Sequence, residues 1–442
     1  MLLPSSFTEL ALACFAGAMT SPTTQNLVLL LPGWILAPRR TITAMLQSAG
    51  LAGKLHHARF HRIFANARWS LDKVGLALFL LALVYLPEDA VIFLGADDTL
   101  ARKRGLKVFG VGMHYDPLLS SRAKAIVNWG HNWIVLGVIL PLPFRPDARF
   151  CLPLLFRLYR NKKTLKAEGE EAAYRSRPEL LVELLTLLCQ AHPGRHFHLL
   201  ADATYSGASV VRKLPANCDF TGRGNLQANL CAPAPQRPPG VKGRSRVRGE
   251  KLPTPRAMLE GEGAALLELK VYGRQAKVQV ASCRALWYSV ARGRPLQIVA
   301  VSPLAPGGRV ETFFSTCLTA SAEQILIWYS WRWTIEVTFH ETKGYLGFEE
   351  PQGWSRRAVE RTAPLALLLY SLVLLWFAQE GHRHVQFPCR PWYRKKSAVS
   401  FADMLRTLRR LGLQRRFVRP PEWEGADQNE LDELIHLASW IP

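Results

Sequence analysis

The sequence predicts an α/β chain with a helical N-terminal part, a strand-rich middle and a basic helical C-terminal part. Three observations carry this. Residues 1–86 read as helical, with an apolar run at Leu27–Leu36 and a second at Gly75–Leu86. From residue 89 onward come short β-rich runs with Gly and Pro punctuation: "DAVIFLGAD", "LKVFGVGMHYD" and "WIVLGVILPLPF". Near the C-terminus, "TASAEQILIWYSWRWTIEVTFHETK" reads as one long helix carrying a stripe of functional side chains.

Length and composition bound the rest. A chain of 442 residues exceeds what one core usually serves, so two or three domains are expected. Hydrophobic residues make up 49%, enough for sizeable cores. The formal net charge is +22 and the pI about 10.0, which calls for a polyanionic partner, nucleic acid first and a membrane surface or acidic polymer second. The eight cysteines are scattered with no CxxC, which fits free thiols in a reducing cytoplasm. The pairs His196/His198 and His382/His384 lack a second pair of metal ligands and read as ordinary histidines. The apolar runs Gly75–Leu86 and Leu365–Phe377 are shorter than the roughly 20 residues a membrane span needs, and are expected as buried core helices. The N-terminus shows no basic segment followed by an apolar run, so no secretory signal is expected.

Along the chain, Thr41 is a candidate helix N-cap in "PRRTITAMLQSAGL". Cations and aromatics interleave in "KLHHARFHRIFANARWS". With Arg39, Arg40, Arg59 and Arg62 this suggests a helical bundle that binds DNA, against a plain solvated basic surface. The three strand-like runs suggest an antiparallel meander, followed by a charged segment at 157–177. "RPELLVELLTLLCQA" is helical, and "RHFHLLADATYSGASVVRKL" reads as strand, acid, helix. Residues 215–260 are rich in Pro, Gly and Arg, including Arg244, Arg246 and Arg248, and read as a long basic loop. Residues 264–316 alternate like strands and read as a β insertion. The long helix follows, with Thr319 or Ser321 as N-cap, and Arg-rich helices close the chain.

The stripe comprises Tyr329, Arg332, Glu336 and Lys343, at offsets of 3, 7 and 14 from the tyrosine. At about 100° per residue these fall at about 300°, 340° and 320°, within about 60° of one another. One acid, two cations and a phenol so aligned suit a metal-binding carboxylate flanked by phosphate-gripping groups. The competing reading is a solvated face with an i, i+4 ion pair. Further acids follow strand-like runs: Asp97 and Asp98 after the first, Asp202 after "FHLLA". Two carboxylates from strands and one from a helix can converge on two hard cations for in-line phosphoryl displacement.

The spacing Y-x2-R-x3-E-x6-K resembles the motif of the YREK group of bacterial insertion-sequence transposases, within the DDE superfamily, and Trp333 follows the arginine as it often does there. "ADDTLARKRG" (96–105), "GVGMHYD" (110–116), "LLADATYSG" (199–207) and "ILIWYSWRWTIE" (325–336) add to the resemblance, which spans about residues 25 to 380. It implies an RNase H-like catalytic core with a β-rich insertion and an N-terminal helical DNA-binding domain. It implies Asp97, Asp202 and Glu336 as catalytic metal ligands for two Mg²⁺ ions, with Mn²⁺ able to substitute and Asp98 the second choice for the first acid. Tyr329, Arg332 and Lys343 would contact phosphates, and Trp333 would stack on DNA. Lys103, Arg104, Arg244, Arg246 and Arg248 join the expected DNA contacts.

The expected organisation is a helical DNA-binding domain at 1–86, core at 87–213, a basic loop and β insertion at 214–318, core again at 319–380 and a basic helical region at 381–442. The expected function is cut-and-paste DNA transposition. The partners would be double-stranded DNA, as terminal inverted repeats and target, and a second copy of the chain on paired ends. No membrane is expected, and the location would be the bacterial cytoplasm at the nucleoid. The alternatives are a domesticated DNA-binding regulator and a hydrolytic DNA nuclease of the same fold.

Overall fold

A computed structural model describes residues 2–121, 123–235, 246–271, 273–305, 307–387, 396, 398–416 and 428–439. Five helices open the chain: α1 (Ser5–Phe15), α2 (Ser21–Leu36), α3 (Ile42–Ser48), α4 (Ala58–Ala65) and α5 (Leu71–Leu83). Thr41 caps α3 by accepting from the Ala44 amide, and Ser70 caps α5 through Lys73. Four strands follow, β1 (Ile92–Arg102), β2 (Gly112–Tyr115), β3 (Val127–Leu142) and β4 (Arg145–Tyr159). Then come α6 (Lys162–Glu168), α7 (Arg177–Ala191), β5 (Phe197–Ala201), α8 (Ala208–Val211) and β6 (Cys218–Arg223). Ser176 and Glu179 form a capping box at the start of α7.

The central sheet runs β4–β3–β1–β5–β6. β1, β3 and β4 are antiparallel, whereas β5 and β6 run parallel to β1. A meander of three strands followed by two parallel ones, with a helix crossing over before the fourth, is the RNase H-like arrangement. The expected meander is there with different members. β1 pairs with β3, and β2 lies on the far edge of β3. The last three residues of β4, Arg157, Leu158 and Tyr159, occupy the start of the expected charged segment, and follow a continuous buried run, Cys151–Phe156.

The β insertion is not a separate sheet. After α9 (Pro255–Glu260) come β7 (Ala265–Val271), β8 (Arg274–Ala285), α10 (Tyr288–Ala291), β9 (Leu296–Pro303) and β10 (Glu311–Ser315). β10 pairs antiparallel with β6, so β10–β9–β8–β7 continue the same sheet to ten strands. The segment 215–260, expected as loop, contains β6 and α9, and Arg244 lies outside the described residues.

The long C-terminal helix is two: α11 (Ala322–Trp331) and α12 (Trp333–Tyr345), meeting at Arg332. Ser321, with Gln324, forms the capping box of α11. α13 (Arg356–Gln379), α14 (Phe401–Arg416) and α15 (Gln428–Ser439) complete the chain. α13 is long and apolar enough to cross a membrane, but 94% of its apolar window is buried inside the protein. It packs on β4, α1, α4, α5, α12 and α14, as a core helix does.

The first 86 residues share one hydrophobic core with the central sheet. Trp34 donates to the Leu346 carbonyl at 3.0 Å and Trp376 to Ser6 at 3.1 Å. Arg361 of α13 donates to the carbonyls of Phe64, Ala67 and Trp69. The N-terminal helices are therefore built into the body rather than tethered beside it. Arg40 does not join a basic surface. It is buried, its guanidinium held by Glu350 and the Tyr345 carbonyl.

α5 approaches β4 so closely that a Cβ on Gly75 would lie 2.1 Å from the Leu154 carbonyl oxygen. Gly75→Ala should therefore cost about 1–3 kcal/mol of stability, read as a lower denaturation midpoint. An unchanged midpoint would contradict this packing.

Candidate active site

Asp97 and Asp98 sit in the middle of β1, not at its end, because the ladder with β3 continues through both (Asp97↔Val135, Asp98↔Ile134). Successive side chains on a strand point to opposite faces. Asp98 is tied up: Asn132 donates to its Oδ2 at 2.8 Å, Tyr205 to its Oδ1 at 3.1 Å, and Arg177 of α7 stands 3.6 Å away. Asp97 instead meets α12, where Arg332 approaches its Oδ2 at 3.1 Å.

The neighbouring strand supplies the second acid. β1 and β5 run parallel in the register Ala96↔Ala201. Asp97, the next residue of β1, and Asp202, which directly follows the end of β5, are therefore brought side by side at the strands' spacing of roughly 4.8 Å. Asp202 caps a short 3₁₀ turn (Ala203–Tyr205), accepting from the Thr204 amide at 2.9 Å and hydroxyl at 3.1 Å. The third acid, Glu336 of α12, is bridged to Asp97 through Arg332, whose Nη2 donates to Glu336 Oε1 at 2.7 Å.

Burial pushes the Asp97 carboxyl up to about 8, the facing Asp202 charge adds to the rise, and Arg332 opposes it. Arg332 is held well above the usual guanidinium range by Tyr329, Asp97 and Glu336, against desolvation by burial. Among the described residues no three His, Cys, Asp or Glu side chains already close on one point. Asp97 and Asp202 nevertheless fit a hard divalent cation such as Mg²⁺. That ion is commonly held by one or two carboxylates together with water and substrate phosphate.

The striped helix faces the sheet, not solvent. Tyr329 is buried against Phe313, 4.5 Å between ring centroids, in the small core that α11 shares with the insertion strands. Arg332 lies over its ring at 5.6 Å. Lys343 donates to the Leu100 carbonyl at 2.8 Å and stands 3.8 Å from Glu349, so it braces the far end of β1. Lys103 donates to the carbonyls of Glu349 and Pro351 and is largely withdrawn from the surface. Trp333 is 50% exposed. Arg39, Arg59, Arg62, Arg104, Arg246 and Arg248 are exposed, and Arg59 donates to Asn26 at 2.7 Å. His198 bonds Thr221 in the core and His196 bonds Asp219, so neither is a metal ligand pair.

Tyr205, Asn132 and Arg177 were not singled out by the sequence, yet they fix Asp98 behind the acids. Tyr205 follows Asp202 by three residues, which is the one signal that could have found it.

The chain matches the model of the DDE superfamily endonuclease family over residues 14–291, more than half its length, and it belongs to that family. The match includes Asp97 and Asp202 and ends before Glu336. No curated protein matches the sequence. A cryo-EM structure of a piggyBac transposase synaptic complex with hairpin DNA is similar at a TM-score of 0.41 and 12% identity, covering 99% of this chain and 82% of that one.

The raised Asp97 carboxyl predicts a pH slope. Between about pH 4 and pH 8 the folded protein retains a proton there that the unfolded chain has released, so stability falls as pH rises through that window. In metal-free buffer, wild type should lose stability from pH 5 to pH 8 more steeply than Asp97→Asn. Parallel curves in urea denaturation would show that Asp97 ionises normally.

Proposed function

We propose that the protein is a DNA transposase of a bacterial insertion sequence, cutting DNA at element ends and joining the freed 3′-OH ends to target DNA. The observation that carries this is the placement of Asp97 on β1 beside Asp202 at the end of the parallel β5, with Glu336 reached through Arg332. Membership of an endonuclease family and a net charge of +22 support a nucleic-acid substrate.

In this reading Asp97, Asp202 and Glu336 hold two divalent cations, Mg²⁺ with Mn²⁺ as substitute. The metal would supply a nucleophilic water and charge stabilisation on the phosphate. Water attacks the phosphodiester at the element end and the P–O3′ bond breaks. The released 3′-OH is the nucleophile for the later joining step at the same acids. The protein contributes position and charge, with no covalent intermediate. Tyr205 and Asn132 keep Asp98 out of the site. Trp333 stacks on DNA beside the acids, and Arg332 grips a phosphate there, whereas Lys343 braces β1 through the Leu100 carbonyl. Arg39, Arg59, Arg62, Arg104, Arg246 and Arg248 contact the backbone of the terminal inverted repeats. Two copies of the chain act on paired ends in the cytoplasm, at the nucleoid.

A hydrolytic nuclease would use the same acids, and the family description names an endonuclease. Joining separates the two. With Mg²⁺ and DNA carrying the inverted repeats that flank its gene, wild type should nick the ends and give joined product. Asp202→Asn should lose cleavage by at least about 10³-fold while binding ends within a few-fold, as expected of a group acting on the transition state. Cleavage without joined product would favour the nuclease. Nicking by Asp202→Asn would overturn the assignment of the acids.

End binding should weaken steeply with salt through counterion release. Replacing Arg59 and Arg62 together by Ala should lower the log–log salt slope by about 2. An unchanged slope would remove the N-terminal helices from the DNA contact.

A further inference from the structure

The cation nearest the acids is one the chain carries itself. Arg332 donates to Asp97 at 3.1 Å and to Glu336 at 2.7 Å, and so ties a strand residue to a helix residue. Among the described residues it is the one Lys or Arg bonded to two of the three acids. It is also enclosed, with its side chain 12% exposed.

We propose that Arg332 is a resident counter-cation: in the DNA-free protein it fills the charge-balancing role among the acids, and it leaves them for a DNA phosphate when a divalent cation binds. This rests on reading Asp97, Asp202 and Glu336 as the metal-holding acids, and it assigns the regulation of that site.

Three further features fit. The Arg332 Nε is buried without a partner, so the bridge leaves one donor unmet and the guanidinium is not fully satisfied where it lies. A planar guanidinium matches carboxylate and phosphate equally well, so the exchange keeps its bonding geometry. Arg332 also sits at the junction of α11 and α12, flanked by i→i+3 bonds (Arg332 N–H to Tyr329 C=O, Ile335 N–H to Arg332 C=O). The adjacent residue, Trp333, is half-exposed, so the bridge lies one residue from the surface. Lys343 differs: it binds the Leu100 carbonyl and lies near Glu349, away from the three acids.

The consequence is coupling. The acids bind metal weakly until phosphate draws Arg332 off, and phosphate binds weakly until metal frees Arg332. Metal and DNA then favour each other reciprocally, and metal-dependent cutting without DNA ends in place is suppressed.

The test is Mn²⁺ binding, read from the free-ion EPR signal. Without DNA, Arg332→Ala and Arg332→Gln should bind Mn²⁺ about 10-fold more tightly than wild type. Both are used so that a folding defect in one does not decide the result. Lys343→Ala, which removes a cation from the same helix, should stay within about twofold of wild type. A duplex carrying the end sequence should tighten Mn²⁺ binding in wild type, and this gain should shrink in the Arg332 variants while their cleavage falls. Unchanged or weaker Mn²⁺ binding in both Arg332 variants would overturn the proposal, as would an equal gain in Lys343→Ala. If Mn²⁺ binding is absent from wild type even with the end duplex and from both Arg332 variants, or survives Asp97→Asn and Asp202→Asn, the reading of the acids fails first and carries this proposal with it.

Discussion

The parallel pairing of β1 with β5 is the constraint on which the site depends. A single register, Ala96↔Ala201, sets Asp97 beside Asp202. A slip of one residue would turn one of the two carboxylates to the other face of the sheet. The register is held by burial on one face of the sheet and by the neighbouring strand. Ile92, Leu94, Phe197 and Leu199 are fully buried, and β3 continues the ladder on the other side of β1. α13 backs β4, which pairs with β3 and so supports β1 at one remove.

Crowding two carboxylates in a buried setting is unfavourable, and the molecule meets that cost with charge. Arg332 draws Asp97 and Glu336 together, and Tyr205, Asn132 and Arg177 satisfy Asp98 on the opposite face. The adjacent acids 97 and 98 thus divide their work by strand alternation alone: one is fastened into the structure, the other is left facing the helix. The segment after α12 forms a second charge knot. Glu350 holds Arg40, and Glu349 stands near Lys343 and accepts from the Arg102 amide, which fastens the N-terminal helices and the far end of β1 to α12.

Local signals in the sequence were legible. Thr41 and Ser321 cap their helices, the apolar run at 365–377 lies in a buried helix, and the alternating insertion forms strands. Positions 329, 332, 336 and 343 have the spacing of one helical face, although the helix divides at Arg332 and leaves Tyr329 on α11. What periodicity could not say is which way that face points. It turns inward, because Tyr329 fills the core between α11 and the insertion strands, and Arg332 then meets a carboxylate 235 residues away. Arg40 was illegible for the same reason: its partner Glu350 is 310 residues distant. Composition marks a chain as basic but does not separate cations that face solvent from those consumed within the fold. The joining of the insertion to β6 was likewise invisible, since it rests on one short ladder, Phe313–Ser315 with Thr221–Arg223.

The central claim is that Asp97 and Asp202 form one metal-holding pair in an enzyme that cuts DNA. Anomalous scattering from Mn²⁺ in crystals of the protein bound to its end DNA tests it most directly. The account predicts a peak within coordination distance of both carboxylates and the scissile phosphate, with Arg332 turned from Asp97 to a phosphate oxygen. Ordered DNA with no metal at those two acids, or metal held elsewhere, would contradict it.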